Sequence, residues 1–320
     1  MAKHIEWDQQ IGRRLRLRDL FVFLTVAELG SMGRAAAKLG VATPSISEVI
    51  AGLEHAVGAQ LLDRAPRGVI ATPYGEALLV RTRAAFDELS QGIRDIEFIG
   101  DPQAGELRIG CPESITAGFL LPILQRLTSI YPRLRFDVRQ VQQPTIDYPE
   151  LRDRKVDLVL VRWGDDPSSE KIDSEFEVEV ALNDRYFLVV NQKSKLARRR
   201  KLDLGELVDA KFIVPPADAW GGALVVESFK RRELPPPNIA ISTLSVSLRS
   251  EMLGGGEFIT LLTKSVVRTF CERYSLKVLP IALPAHRSPV GIVMLKNRTV
   301  PPAVKLFLQC AREVAKSIND

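Results

Sequence analysis

The chain has 320 residues, 46% of them hydrophobic and 26% charged, the ordinary mix of a folded protein rather than a disordered or fibrous one. At roughly 100–200 residues per domain the length implies about two to three domains, and no apolar run approaches the roughly 20 residues that a membrane-spanning helix needs. Lys and Arg number 44 against 39 Asp and Glu, a net +5 that permits a polyanionic partner without demanding one.

Met1 to Asp19 is polar and Arg-rich, with no apolar stretch ahead of a small-residue cleavage site; it excludes a secretory signal and predicts a cytoplasmic protein. Leu17, Leu20, Phe21, Leu24 and Ala27 then form the stripe of an amphipathic helix that Gly30 stops. Ser31 to Leu39 reads as a short Ala-rich helix closed by Gly40, which suits a left-handed C-terminal position. A third helix is expected from about Pro44 to Val57, with Ile46, Val49, Ile50, Leu53 and Val57 on one face. Its start has two readings: Thr43 caps with Pro44 at the first helical position, or Ser45 and Glu48 form a capping box.

After Gly58, Gln60 to Asp63 and Val69 to Ala71 read as a two-stranded hairpin around Arg64-Ala65-Pro66-Arg67-Gly68. Thr72-Pro73 opens a long helix in which Leu79, Thr82, Phe86, Leu89, Ile93 and Ile96 repeat every three and four residues, a heptad seam that wants a partner helix. The helix is expected to end near Gly100, with Asp101 to Gly105 as a linker. From Glu106 onward β-branched strands alternate with helices: Leu107–Gly110, Leu134–Val141, Asp157–Val161, Tyr186–Asn191, Phe212–Val214, Ile239–Ser242, Ile259–Leu262, Leu276–Leu279 and Val290–Leu295, then a closing helix from about Pro301 to Ile318. This βαβ pattern predicts parallel sheets in two α/β lobes.

The stretch FVFLTVAELGSMGRAAAKLGVATPSISEVIAGLEHAVGAQLLDRAPRGVIATPYGEALL, Phe21 to Leu79, resembles the N-terminal module of LysR-type transcriptional regulators almost continuously, through Gly30-Ser31, Ala35-Ala36, Leu39, Ser47, Ile50, Leu53-Glu54, Gly58, Leu61-Leu62, Arg64, Thr72 and Gly75. More weakly, LRIGCPES, LLPILQRLTSIYPRL, VDLVLVR and LGGGEFITLLTKSV are similar to that family's effector-binding domain. VLPIALPAHRSPVGIVMLKNRT carries a looser likeness to the branch containing the regulator of a galactose-binding protein. The implied fold class is α/β with an N-terminal all-α winged helix-turn-helix and a two-lobed, Rossmann-like C-terminal domain of the type 2 periplasmic-binding-protein kind. The expected boundaries are 1–75 for the DNA-binding domain, 76–100 for a dimerising linker helix and 106–320 for the effector domain, with lobe I at about 106–182 and 283–320 and lobe II at about 183–282. The implied function is sequence-specific regulation of transcription under a small-molecule effector. The implied partners are double-stranded DNA at a dyad-symmetric operator, an organic acid or sugar-derived effector, the chain itself as a dimer of dimers, and RNA polymerase. No cofactor, metal or membrane is implied.

In a helix-turn-helix the second helix enters the major groove by its N-terminal residues. Thr43, Pro44, Ser45, Ser47 and Glu48 are therefore expected nearest base edges, the hydroxyls as hydrogen-bonding groups and Pro44 as an apolar contact for a thymine methyl. Glu48 departs from the Arg, Lys or Gln associated with this position in the family, and its capping role is favoured over base readout. Arg34, Arg64 and Arg67 are expected on phosphates, and Arg13, Arg14, Arg16 and Arg18 form a basic arm. Met1 to Gly75 holds only nine Lys and Arg against seven Asp and Glu, so an electrostatic footprint must come from arrangement. Leu79, Phe86, Leu89, Ile93 and Ile96 are the expected dimer seam, against the alternative of a helix packed on its own domain.

Open α/β sheets bind ligands at the carboxyl ends of strands. That rule nominates Glu113, Ser114, Thr145, Arg162 and Ser245 as effector contacts, with Trp163 or Trp220 as a stacking wall. Cys111, Cys271 and Cys310 lack a CxxC pair and read as reduced thiols. His4, His55 and His286 show no metal-ligand spacing and no neighbouring nucleophile, Gly254-Gly255-Gly256 lacks a following Lys-Ser/Thr, and no G-x-G-x-x-G follows a strand. The chain therefore reads as a non-enzyme, with a solute-binding module lacking regulatory activity as the alternative.

Overall fold

The computed structural model describes residues 15–66, 68–101, 103–141, 147–163, 172–284 and 288–319, which form two compact units dividing between Gly92 and Ile93, inside one long helix. The expectations for Arg13, Arg14, Arg67 and Thr145 lie outside the described residues.

In the first unit, α1 (Leu17–Leu29), α2 (Met32–Leu39) and α3 (Thr43–Val57) precede an antiparallel hairpin, β1 (Leu62–Ala65) and β2 (Gly68–Ala71), and then α4 (Pro73–Gly100). Phe23, Val26, Ala35, Ala36, Ile46, Ile50, Leu53, Leu61 and Leu79 make the core, and the alanines of α2 leave room for its neighbours. Ser31 caps α2 by accepting from Arg34 N, and Gly40 takes the left-handed conformation that ends it. Neither expected cap of α3 forms: Ala42 is its N-cap without a side-chain bond, so Thr43 already lies in the first turn with Pro44 behind it. Proline's fixed φ and missing N–H suit that turn without a side-chain cap.

The hairpin is longer and tighter than expected, since Arg64 and Ala65 belong to β1 and Ala65 pairs with Gly68. A side chain at Gly68 would run into the Gly30 carbonyl, and its φ of +139° is a glycine conformation. Val69 N donates to that same carbonyl, so the hairpin is tied to the end of α1. Glu54 on α3 accepts from Leu61 N (2.8 Å) and Leu62 N (3.2 Å), and Thr72 donates to Gln60 O while accepting from Gly75 N. The wing is thus fixed to α1, α3 and α4 by backbone polar groups that would otherwise be unpaired.

The second unit holds two five-stranded sheets. One orders β4 (Leu134–Gln140), β3 (Gly105–Cys111), β5 (Leu158–Arg162), β12 (Ser288–Leu295) and β6 (Phe176–Asp184). The other orders β11 (Leu276–Val278), β7 (Tyr186–Asn191), β10 (Phe258–Thr263), β8 (Lys211–Val214) and β9 (Asn238–Ser242). Both sheets are mixed rather than parallel. β12 runs antiparallel to β5 and β6, and β7 runs antiparallel to β10 and β11, because the chain leaves the first sheet through β6 and returns to it as β12. β6 is a strand that composition hid: its FEVEVALND alternates Glu with apolar residues at a sheet edge.

Helices cover the sheets. A helical turn at Glu113–Ile115 and a π-helical stretch at Thr116–Leu120 lead into α5 (Leu121–Ile130); α6 (Pro149–Arg152), α7 (Trp220–Lys230), α8 (Val246–Met252), α9 (Lys264–Phe270) and α10 (Pro302–Asn319) follow. The first sheet packs Leu107, Ile109, Leu158, Leu160 and Ile292 against Phe119, Ile123 and, on α10, Phe307 and Ala311. The second packs Leu188, Val190, Phe212, Val214 and Leu261 against Leu224, Val225 and Phe229 on α7.

Candidate DNA-binding face and effector cleft

Helix α3 turns Ile46, Ile50 and Leu53 into the core, which leaves Thr43, Pro44, Ser45, Ser47, Glu48, Ala51 and Gly52 exposed. Ser47 is held near its backbone, donating to Thr43 O at 3.4 Å and lying 3.4 Å from the Met32 sulfur of α2. Arg34 is exposed on α2 and Arg64 on β1. The unit therefore presents short hydroxyl side chains on one helix, with cations on a second helix and on the wing.

The seam of α4 is not uniform. Leu79 is buried in the first unit's core, and Phe86 packs against it, edge-on to Phe21 with ring centroids 5.5 Å apart. The unit's own core therefore takes Leu79, and Phe86 is half-buried against Phe21 of α1, an intrachain partner that the sequence did not reveal. Leu89, Ile93, Ile96 and Ile99 stay 50%, 61%, 71% and 80% exposed, a rising apolar strip on the C-terminal half of the helix.

In the second unit a cavity of about 670 Å³ opens where β3, β5, β7, β8 and β10 deliver their ends, lined by Pro112, Glu113, Ser114, Arg162, Tyr186, Trp220, Arg249 and apolar neighbours. Ser114 and Trp220 line it. Trp163 does not: it is 2% exposed and lies against Gly291 of β12, where a Cβ would overlap its ring. The glycine opposite makes room for the indole inside the first lobe, so Trp163 is core and no stacking wall.

Arg162, the last residue of β5, ends beside the chain's passage between sheets. Its Nη1 donates to Ser288 O (3.1 Å) and Oγ (3.2 Å), and its Nη2 pairs with Asp184 at 3.2 Å. Asp184 also accepts from Ser265 Oγ at 2.6 Å, from Ser265 N and from Arg185 N. This buried group joins β5, β6, β12 and α9: Asp184 carries the link to the second lobe through Ser265, and the charge of Arg162 is already matched.

Glu113 also spans the lobes. Its Oε1 accepts from Ser247 N (3.1 Å), Ser247 Oγ (3.1 Å) and Ser245 Oγ (3.3 Å), while Ser245 caps α8 by accepting from Leu248 N. Glu113 and Ser245 were expected as separate ligand contacts, but they are partners of each other. Cys111 ends β3 close by, and burial pushes its thiol up to about 12, so it stays protonated at neutral pH.

The sequence reading missed Arg249, 4% exposed on α8 and lining the cavity. Its signal was present: Val246, Arg249, Ser250 and Leu253 lie at i, i+3, i+4 and i+7, so a cation interrupts an otherwise inward face.

Comparison with known families matches this geometry. Residues 17–76 fit the bacterial regulatory helix-turn-helix proteins of the lysR family, and residues 100–316 fit the LysR substrate binding domain. The chain belongs to the LysR family of transcriptional regulators: a helix-turn-helix DNA-binding region followed by an effector-binding domain, and not an enzyme. The HTH-type transcriptional regulator GbpR of Azospirillum brasilense is 24% identical over 93% of this chain and 86% of its own length. The transcriptional dual regulator GltC of Bacillus subtilis is 26% identical over 92% of this chain and 96% of its own. A full-length OxyR from Pseudomonas aeruginosa, solved as a cysteine-to-aspartate variant, shares the fold with a TM-score of 0.63 at 19% identity, covering 93% of this chain and 98% of that one.

Proposed function

We propose that two copies of the chain, joined along the exposed half of α4 through Leu89, Ile93 and Ile96, present two α3 helices to a dyad-symmetric operator. Thr43, Pro44, Ser45, Ser47 and Glu48 sit nearest base edges, while Arg34, Arg64 and Arg67 hold phosphates and fix the register. Pairs of such dimers form the working tetramer, acting in the cytoplasm at promoters where RNA polymerase is the further partner. The cleft beside Ser114, Arg162 and Trp220 takes the small-molecule effector. The observation that carries this reading is the polar, exposed N-terminal face of α3 opposite its buried Ile46, Ile50 and Leu53.

The test is a titration of full-length protein against a fragment that it selects from genomic DNA, at several salt concentrations. Removing a phosphate contact with Arg64→Ala is expected to weaken binding to all sequences and to lower the slope of log affinity against log salt by about one. Ser47→Ala is expected to narrow the preference for the selected fragment over bulk DNA. An Arg64→Ala variant with unchanged affinity and slope refutes the wing contact.

A further inference from the structure

The cavity has two arginines in its lining, and they differ in what they face. Arg162 is matched by Asp184. Arg249 has no such ion pair: it is 4% exposed, and among the described residues no carboxylate lies within ion-pair distance of it, although the charge of Glu113, in the same lining, acts on it. Its Nε donates to Ser245 O at 3.4 Å and its Nη1 to Leu261 O at 2.6 Å. A guanidinium carries five N–H donors, and no further protein partner takes the rest among the described residues. Burial pushes this group down to about 10, so it still carries its charge at neutral pH.

A buried cation without an ion-pair partner is costly, and an anion brought beside it recovers Coulomb energy that bulk water would have screened. The rest of the lining sets the body of that anion. Val141, Trp220, Val246, Leu261, Leu262 and Val266 offer apolar surface; the lining holds no second free cation among the described residues, and its carboxylates are Glu113, already bonded to Ser245 and Ser247, and Asp218.

We propose that the cleft takes a small apolar monocarboxylate whose carboxylate pairs with Arg249, a statement that rests on the effector-cleft reading above. The planar fork of the guanidinium suits two parallel bonds to a carboxylate, and the apolar body fills the space toward Trp220. One cation without an ion-pair partner suits one negative charge. A dianion would bring a second charge toward the apolar wall and the lining's own carboxylates, Glu113 and Asp218.

The experiment is calorimetric titration of the full-length protein with benzoate and hexanoate, with the uncharged benzamide and hexanamide, and with inorganic phosphate. The acids are expected to bind the wild type at least ten-fold more tightly than their amides and more tightly than phosphate. Arg249→Met is expected to erase the acid preference, and Arg249→Lys to keep part of it, with circular dichroism and melting temperature showing both variants folded. Amides equal to acids, phosphate equal to hexanoate, no binding by any acid, or an undiminished acid preference in folded Arg249→Met each overturns the proposal. The acid-against-amide comparison uses wild type alone and holds even where a variant misfolds. Selected DNA is titrated with the same preparations: DNA binding without an acid preference removes the ligand class and leaves the regulator, whereas loss of both in the wild type removes the reading beneath it.

Discussion

Asp157 illustrates how a single residue holds the effector domain together. It lies between Arg108 (2.7 Å) and Arg298 (2.8 Å), at the edge of β5, and accepts from Arg108 N as well. Burial alone would raise its pKa, but the Arg108 bonds and charge, then the Arg298 charge, hold it below the usual carboxylate range. A carboxyl lowered in the folded state contributes stability that is complete above its unfolded value, about 4, and is lost as pH falls through the folded value. Asp157→Asn takes the carboxylate charge from between two arginines and is expected to cost about 3–5 kcal/mol in urea unfolding at pH 7. The gap between the two proteins should stay flat from pH 7 to about 5 and close in acid; a gap that widens as pH falls contradicts this account. Residues of this kind were poorly legible in the sequence, because Arg108, Asp157 and Arg298 are far apart along the chain and nothing local marks them as partners. Arg162 was legible as a strand-end residue but not as the partner of Asp184, for the same reason.

Helix α4 shows where periodicity informs and where it stops. The repeat of Leu79, Phe86, Leu89, Ile93 and Ile96 states that one face is apolar, yet it cannot say what covers that face. Phe21 covers Phe86, and the core takes Leu79, whereas the face from Leu89 onward remains open. The dimer reading therefore belongs to the C-terminal half. Ile93→Asp with Ile96→Asp is expected to move the protein to monomer in sedimentation velocity at micromolar concentration while leaving the melting temperature within a few degrees. Leu79→Asp should instead unfold the first unit, since it places a charge in a packed core. A dimer that survives the double substitution excludes this helix as the seam. The helices of the first unit were read to within a residue or two because capping glycines and 3.6-residue stripes are local signals. Strand direction was not, because antiparallel β12 and β7 depend on how the chain returns between lobes, and β6 alternates charge with apolar residues as an edge strand does.

At the level of the whole molecule, sequence resemblance and geometry support one account: a LysR-family regulator whose first unit reads DNA and whose second carries an effector cleft. An effector acts only by binding two assembly states unequally, a difference typically of about 1–3 kcal/mol. The groups placed to respond are those joining the lobes, the Arg162–Asp184 cluster and the Glu113 bonds to Ser245 and Ser247. The cleft was legible in outline from strand ends, but its chemistry was not, since Glu113 and Ser245 meet across 132 positions of chain. The most direct measurement is a footprint of the full-length protein on the genomic fragments it retains, beside a Ser47→Ala, Arg64→Ala variant. The account predicts two protected half-sites related by a dyad and separated by about 10–10.5 base pairs or a multiple of that, lost in the variant. A folded dimer that retains no fragment over bulk DNA, or a variant with an unchanged footprint, would contradict it.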